Sequence, residues 1–160
     1  MSCGLIDTGS GANCEALPQG GTKARAVVFN YDDVTGYTTD SEGTVTALTL
    51  APGASGYEFT GFRNDMKNSQ EVVKPDTGIT QFRHLFGMTI YERTQEQKNN
   101  AEHLSRGLFV VIVENKGLDP TSFEVLGLDV GLEIDAGVIR NAHENGGYFV
   151  LSFSTPEDGA

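Results

Sequence analysis

Thr94-Gln-Glu-Gln-Lys-Asn-Asn-Ala-Glu-His-Leu-Ser-Arg-Gly-Leu-Phe-Val-Val-Ile-Val113 joins one self-delimited helix to the most apolar run of the chain. Thr94 with Gln97 three residues on forms a capping box, in which the hydroxyl accepts an orphan backbone N–H and the glutamine reaches back to the cap. Gly107 offers the left-handed residue on which helices close, so a helix is predicted over 94–106. Its apolar face is only Ala101 and Leu104, set among Gln95, Glu96, Gln97, Lys98, Asn99, Asn100 and Glu102. Such a helix belongs on a surface, lightly packed against a sheet. Leu108–Val113 is continuous and β-branched, the pattern of a strand covered on both faces, and is expected to be the central strand.

Downstream, Phe123–Leu128 and Val130–Ile139 read as strands. In the second, Val130, Leu132, Ile134 and Ala136 alternate with Gly131, Glu133 and Asp135, as in a half-solvated antiparallel strand. Asn145-Gly146-Gly147 is turn chemistry, Tyr148–Phe153 is the last strand, and Gly131–Ser154 is expected to form a hairpin.

Upstream, Gln81–Arg93 reads as one strand more than twice the usual ~5–6 residues. Phe82, His84, Phe86, Met88 and Ile90 share one face, with Gly87 as a bulge or bend. Gly56–Phe62 is expected to pair with Thr44–Leu50 as a hairpin across Pro52-Gly53. Lys23–Tyr31 is the first strand, with Ala24, Ala26 and Val28 opposed to Val27, Phe29 and Tyr31. Asp32–Gly43 reads as a polar loop. Residues 63–80, polar around the pair Val72-Val73, read as an excursion loop or flap; loops beyond ~12–15 residues in compact domains are commonly functional, which marks a contact surface. The expected organisation is an extended arm over 1–22, a single β-rich domain over 23–155, and a tail over 156–160. The fold class is mainly β: an antiparallel β-sandwich or partial barrel with one short helix.

The chain has 160 residues, enough for one domain with a real core, and its 20 glycines fall between predicted strands. Its 22 acidic and 11 basic residues give a formal charge of −11, which argues against a grip on nucleic acid and suits a soluble, acidic protein. No apolar run approaches the ~20 residues of a membrane span, and the N-terminus lacks a secretory pattern, so a cytosolic protein is expected, with Cys3 and Cys14 as thiols.

The sharpest catalytic pattern is Leu5-Ile6-Asp7-Thr8-Gly9-Ser10, which resembles the active-site turn of aspartic proteases. Asp76-Thr77-Gly78 offers a second copy, and Val125-Leu126-Gly127-Leu128-Asp129 is similar to the segment that buttresses that turn in retroviral-type members. Asp7 and Asp76 are then the catalytic candidates of an enzyme reading, because two close carboxylates can share a proton. Against it, six residues precede Asp7 where the family needs a strand, and Lys74-Pro75 leads into Asp76. Aspartate-initiated turns explain both motifs without catalysis, so the chain is expected not to be an enzyme. His84, His103 and His143 lack metal-ligand spacing. Asp32, Asp33, Asp40 and Glu42 lack the oxygen pattern of a calcium loop. Gly127-Leu-Asp-Val-Gly131 lacks the third glycine of a dinucleotide site. No cofactor or metal is expected.

The order of elements, with Phe123-Glu-Val-Leu-Gly-Leu-Asp-Val-Gly-Leu-Glu-Ile134, Asn145-Gly-Gly-Tyr-Phe-Val-Leu-Ser-Phe-Ser154, Met1-Ser-Cys-Gly-Leu-Ile6 and Pro18-Gln-Gly-Gly21, resembles bacteriophage tail tube (major tail) proteins of phages and prophages of Bacteroidetes. The resemblance implies subunits that join sheets into rings, typically hexameric, which stack as a tube. It implies other tail proteins as partners, genomic DNA passing through an acidic lumen without specific binding, and no membrane. The location it implies is the virion tail, assembled in the host cytoplasm. The arm 1–22, the loop 63–80 and the tail 156–160 would make ring-to-ring contacts. Alternatives are a tail terminator, a head–tail connector or head decoration protein, the retroviral-type protease, and a monomeric β-sandwich binding module.

Overall fold

The apolar run after the helix becomes β7 (Phe109–Asn115), in which the successive residues Val110 and Val111 are both fully buried, so both faces are covered as expected. In this computed structural model, which describes residues 21–62, 65–74, 81–91, 94–116, 123–139 and 149–156, β7 is an inner strand of an antiparallel sheet. Its neighbours are β1 (Thr22–Asn30) and β8 (Phe123–Leu126), with β4 (Tyr57–Thr60) beyond β1. A second antiparallel sheet has the order β5 (Lys67–Val73), β6 (Gln81–Ile90), β10 (Phe149–Ser154), β9 (Glu133–Ile139). A third pairing, β2 (Val34–Thr39) with β3 (Val45–Leu50), is a largely exposed ribbon.

The two four-stranded sheets close on one core. Ala26, Val28, Val111, Val113 and Leu126 of the first meet Phe86, Met88, Ile90, Phe149, Leu151 and Phe153 of the second. The rings of Phe109 and Phe153 meet edge to face across the interface, 6.2 Å between centroids. The strands of the second sheet cross the first: Tyr91, just past β6, stacks edge-on with Phe62 next to β4, while Asn68 in β5 donates to Glu124 in β8 at 2.6 Å. The fold is therefore mainly β, an antiparallel sandwich with a single α-helix among the described residues.

That helix is α1 (Gln95–Leu104). Thr94 caps it, accepting the Gln97 N–H at 3.2 Å, and Ala101 and Leu104 are its buried residues, as the sequence pattern requires. Its end differs from expectation. Gly107 is not left-handed; the glycine is needed because a Cβ there would lie 2.6 Å from the Phe109 ring.

Five further expectations are corrected. Residues 32–43 are not one loop: a 3-10 turn at Tyr31–Asp33 leads into β2, whose Thr-rich, exposed sequence conceals its strand. β4 does not pair with β3; it pairs with β1, from Arg25↔Thr60 to Val28↔Tyr57, and β3 takes β2 instead. Residues 63–80 are not an excursion loop throughout, because 67–73 form β5, paired residue for residue with β6. Gly87 neither bulges nor bends β6, whose register runs unbroken past both neighbours. Thr22 belongs to β1, not to an arm; it is buried and its hydroxyl donates to the Met66 carbonyl. Residues 1–20, with Cys3 and Cys14, and the turn at Asn145-Gly146-Gly147 lie outside the described residues. The expected hairpin between β9 and β10 is present as an antiparallel pair, with one extra residue, Asp135, where Ser152↔Ala136 is followed by Phe153↔Ile134.

Candidate functional site

Asp7 and Asp76, the catalytic candidates, both lie outside the described residues, as does His143. The proposed buttress is local structure: Val125 and Leu126 end β8, and Gly127 opens a turn closed by Gly131 N–H donating to the Gly127 carbonyl at 2.9 Å. Asp129 is held in that turn, its carbonyl accepting the Tyr31 hydroxyl at 2.7 Å. Asp40 is a turn cap that accepts the backbone N–H groups of Glu42 and Thr44, both at 2.9 Å. Among the described residues no three His, Cys, Asp or Glu side chains gather as metal ligands. His84 lies on β6, where its backbone N–H donates to the Thr155 hydroxyl and its carbonyl accepts the Thr155 N–H, each at 3.0 Å. His103 lies on α1, far along the chain and in a different element.

What the fold does bring together is surface. Among the described residues the second sheet has two open edges, β5 and β9, of seven residues each, whereas the edges of the first, β4 and β8, have four each. Short edges resist pairing with another chain; long ones invite it. Three antiparallel steps separate β5 from β9, so the two open edges run in opposite directions. Asp135, the extra residue on β9, reaches Arg83 of β6 at 3.6 Å.

The far end of the β5–β6 ladder carries Val72 and Phe82, direct cross-strand partners that are 65 % and 57 % exposed. Their alternation is that of the buried Phe86 and Met88, so they continue the core-facing side of β6 past the place where β8 covers it. Exposed Lys74 directly follows β5. Arg83 Nε and His84 Nδ1 in this segment are buried with no hydrogen-bond partner among the described residues.

At the diagonally opposite corner, where β1 ends, β7 begins and β4 forms the edge, α1 stands off the sheet and leaves a groove of about 850 Å³. Tyr31, Tyr57, Phe59, Leu104, Leu108 and Phe109 supply its apolar lining, and Asp32, Asp33 and Glu96 its carboxylates. Tyr57 and Leu108 stay exposed at its mouth. Arg106, also on the groove, is engaged by Glu102 at 2.6 Å, one helical turn away.

Comparison with known proteins finds no matching family model, no matching curated protein and no matching solved structure.

The sequence reading passed over the groove, since its lining is scattered from Tyr31 to Phe109 and only folding assembles it. It did single out Val72-Val73. The alternation that exposes Val72 would have been readable had Lys-Asn-Ser-Gln-Glu been recognised as a polar edge strand.

Proposed function

We propose that this chain is a structural subunit of a bacteriophage tail tube, several copies, six by the resemblance, closing into a ring through the second sheet, with rings stacked around a channel for DNA. The observation that carries the reading is the pair of equal, open, oppositely directed edges β5 and β9. A copy rotated about the ring axis brings its β5 beside the β9 of its neighbour in antiparallel orientation, so the four-stranded sheet continues from subunit to subunit without a change of pattern. Closure of the ring then removes both edges at once.

The side of that sheet turned away from the core is mixed: Ser69, Gly87, Thr89 and Ser152 lie beside Leu85 and Val150, and the carboxylates of Glu71 and Glu133 share the face with the cations Lys67 and Arg83. On this reading it lines the channel. The formal charge of −11 per chain, more than this face by itself, would repel DNA phosphates and let the genome pass without sticking. The protein's place is then the virion tail, assembled in the host cytoplasm among other tail proteins, with a structural and not an enzymatic role.

Negative-stain electron microscopy of the purified protein over a concentration series tests this. Rings and hollow tubes are expected as concentration rises; particles that stay monomeric across the series, at low and high salt, overturn the reading. Rings that never stack would move the assignment to a tail terminator or head–tail connector.

A further inference from the structure

We infer that the far end of the β5–β6 ladder seats in the Tyr31–Tyr57 groove of a second copy of this chain, joining copies head to tail. This joint deepens the tube assignment and rests on it for its role as the stacking contact between rings.

Both halves of the contact are on one subunit, at opposite corners. β5 leaves the sandwich beside Glu124 of β8, whereas the groove opens beside Tyr57 of β4, the other edge of the same sheet. A contact between two different patches placed this way does not close on itself after two copies, and repeats along a line. The chemistry matches in both respects. Val72 and Phe82 form an exposed apolar pair, and the groove presents Tyr57 and Leu108 exposed at its mouth with Phe59 and Leu104 beneath. A site shaped for a small ligand would bury such a mouth; one shaped for another protein leaves it open until the partner arrives.

Charge selects the head-to-tail pairing over its symmetric rivals. The exposed cation Lys74 directly follows β5, two residues past Val72, while Glu71 lies beside Arg83 on the face opposite the apolar pair. The groove carries Asp32, Asp33 and Glu96, with Arg106 already engaged by Glu102. Two ladder ends would set Lys74 against Lys74, and two grooves would set carboxylates against carboxylates. Only ladder end to groove pairs opposite signs.

Two surface double variants test the joint. Val72→Asp with Phe82→Asp removes the insert and keeps the groove; Tyr57→Asp with Leu108→Asp does the reverse. Circular dichroism and thermal melting verify that each folds as the parent does. Each alone is expected to lose tubes, leaving unstacked rings. An equimolar mixture retains one intact joint per pair and should give two-unit species, ring pairs by microscopy and a single new boundary in sedimentation, with no longer assemblies. Tubes of parental length from either variant alone, or a mixture with no two-unit species, overturn the joint while the tube assignment stands. A parent chain that never associates removes both. Charge reversal is the independent measurement: Lys74→Glu alone and Asp32→Lys with Asp33→Lys alone should each raise the concentration for tube growth about tenfold or more, and the three changes in one chain should restore it. Failure of that restoration also overturns the joint.

Discussion

Gly127 shows how one residue's freedom sets the geometry around it. Its φ of +83° lies in the left-handed region, and a Cβ there would sit 2.8 Å from both Leu132 Cγ and the Phe109 carbonyl oxygen. The tight turn it permits carries the fully buried Leu132 back to β7, where Leu132 and Phe109 exchange backbone hydrogen bonds at 2.7 and 2.9 Å. Gly43 has nearly the same φ, +85°, but nothing within 4 Å of its would-be Cβ. Gly43→Ala therefore measures the dihedral penalty by itself, about 1 kcal/mol, and Gly127→Ala adds the clash, for a total of about 2–4 kcal/mol. At about 2–4 °C per kcal/mol for a chain of this size, the second melt should fall several degrees further than the first; equal shifts would contradict the account. Glycine before a turn is readable in the sequence, but which glycine is pressed against a distant carbonyl is not. Thr94 is the opposite case: cap and capped N–H are three residues apart, and the sequence pattern predicts the bond the structure contains.

Among the elements, β5, like β2, is one whose nature the sequence hides. Lys-Asn-Ser-Gln-Glu-Val-Val has little strand propensity, and it is a strand because β6 supplies a partner for each of its residues. Polar composition is also what keeps an exposed edge from pairing promiscuously. Along an edge strand successive N–H groups point alternately toward the neighbouring strand and away from it. Ser69→Pro and Gln70→Pro, made separately, should therefore diverge: one breaks the β5–β6 ladder and lowers the melting temperature, and the other leaves the fold intact and abolishes ring closure by removing an outward donor. Two stable variants that both close rings would sever β5 from lateral assembly. The exchange of partners at β4 has a similar cause. A hairpin with β3 was the local expectation, yet Phe59 finds its apolar neighbours across the sandwich core, and β1 carries β4 to that position.

For the molecule as a body, the proposed assembly would be opposed by charge at long range and favoured by apolar and edge contacts at short range. Each copy carries −11, so copies repel over a Debye length of about 30 Å at 0.01 M salt but only about 8 Å at 0.15 M. Raising salt across that interval should lower the protein concentration at which light scattering reports assembly; a rise instead would mean that attractive pairs such as Lys74 with the groove carboxylates outweigh the net repulsion. The sequence alone determined the β-rich class, the cap and buried face of α1, the doubly covered β7 and the β9–β10 pairing. Each of these is encoded by period, capping or turn chemistry within a short contiguous stretch. The tertiary structure decided which strands share a sheet, which edges stay open, and where the groove and the exposed Val72–Phe82 pair stand relative to each other. Those depend on contacts between residues tens of positions apart, selected by burial of a common core, and no local pattern along the chain records them.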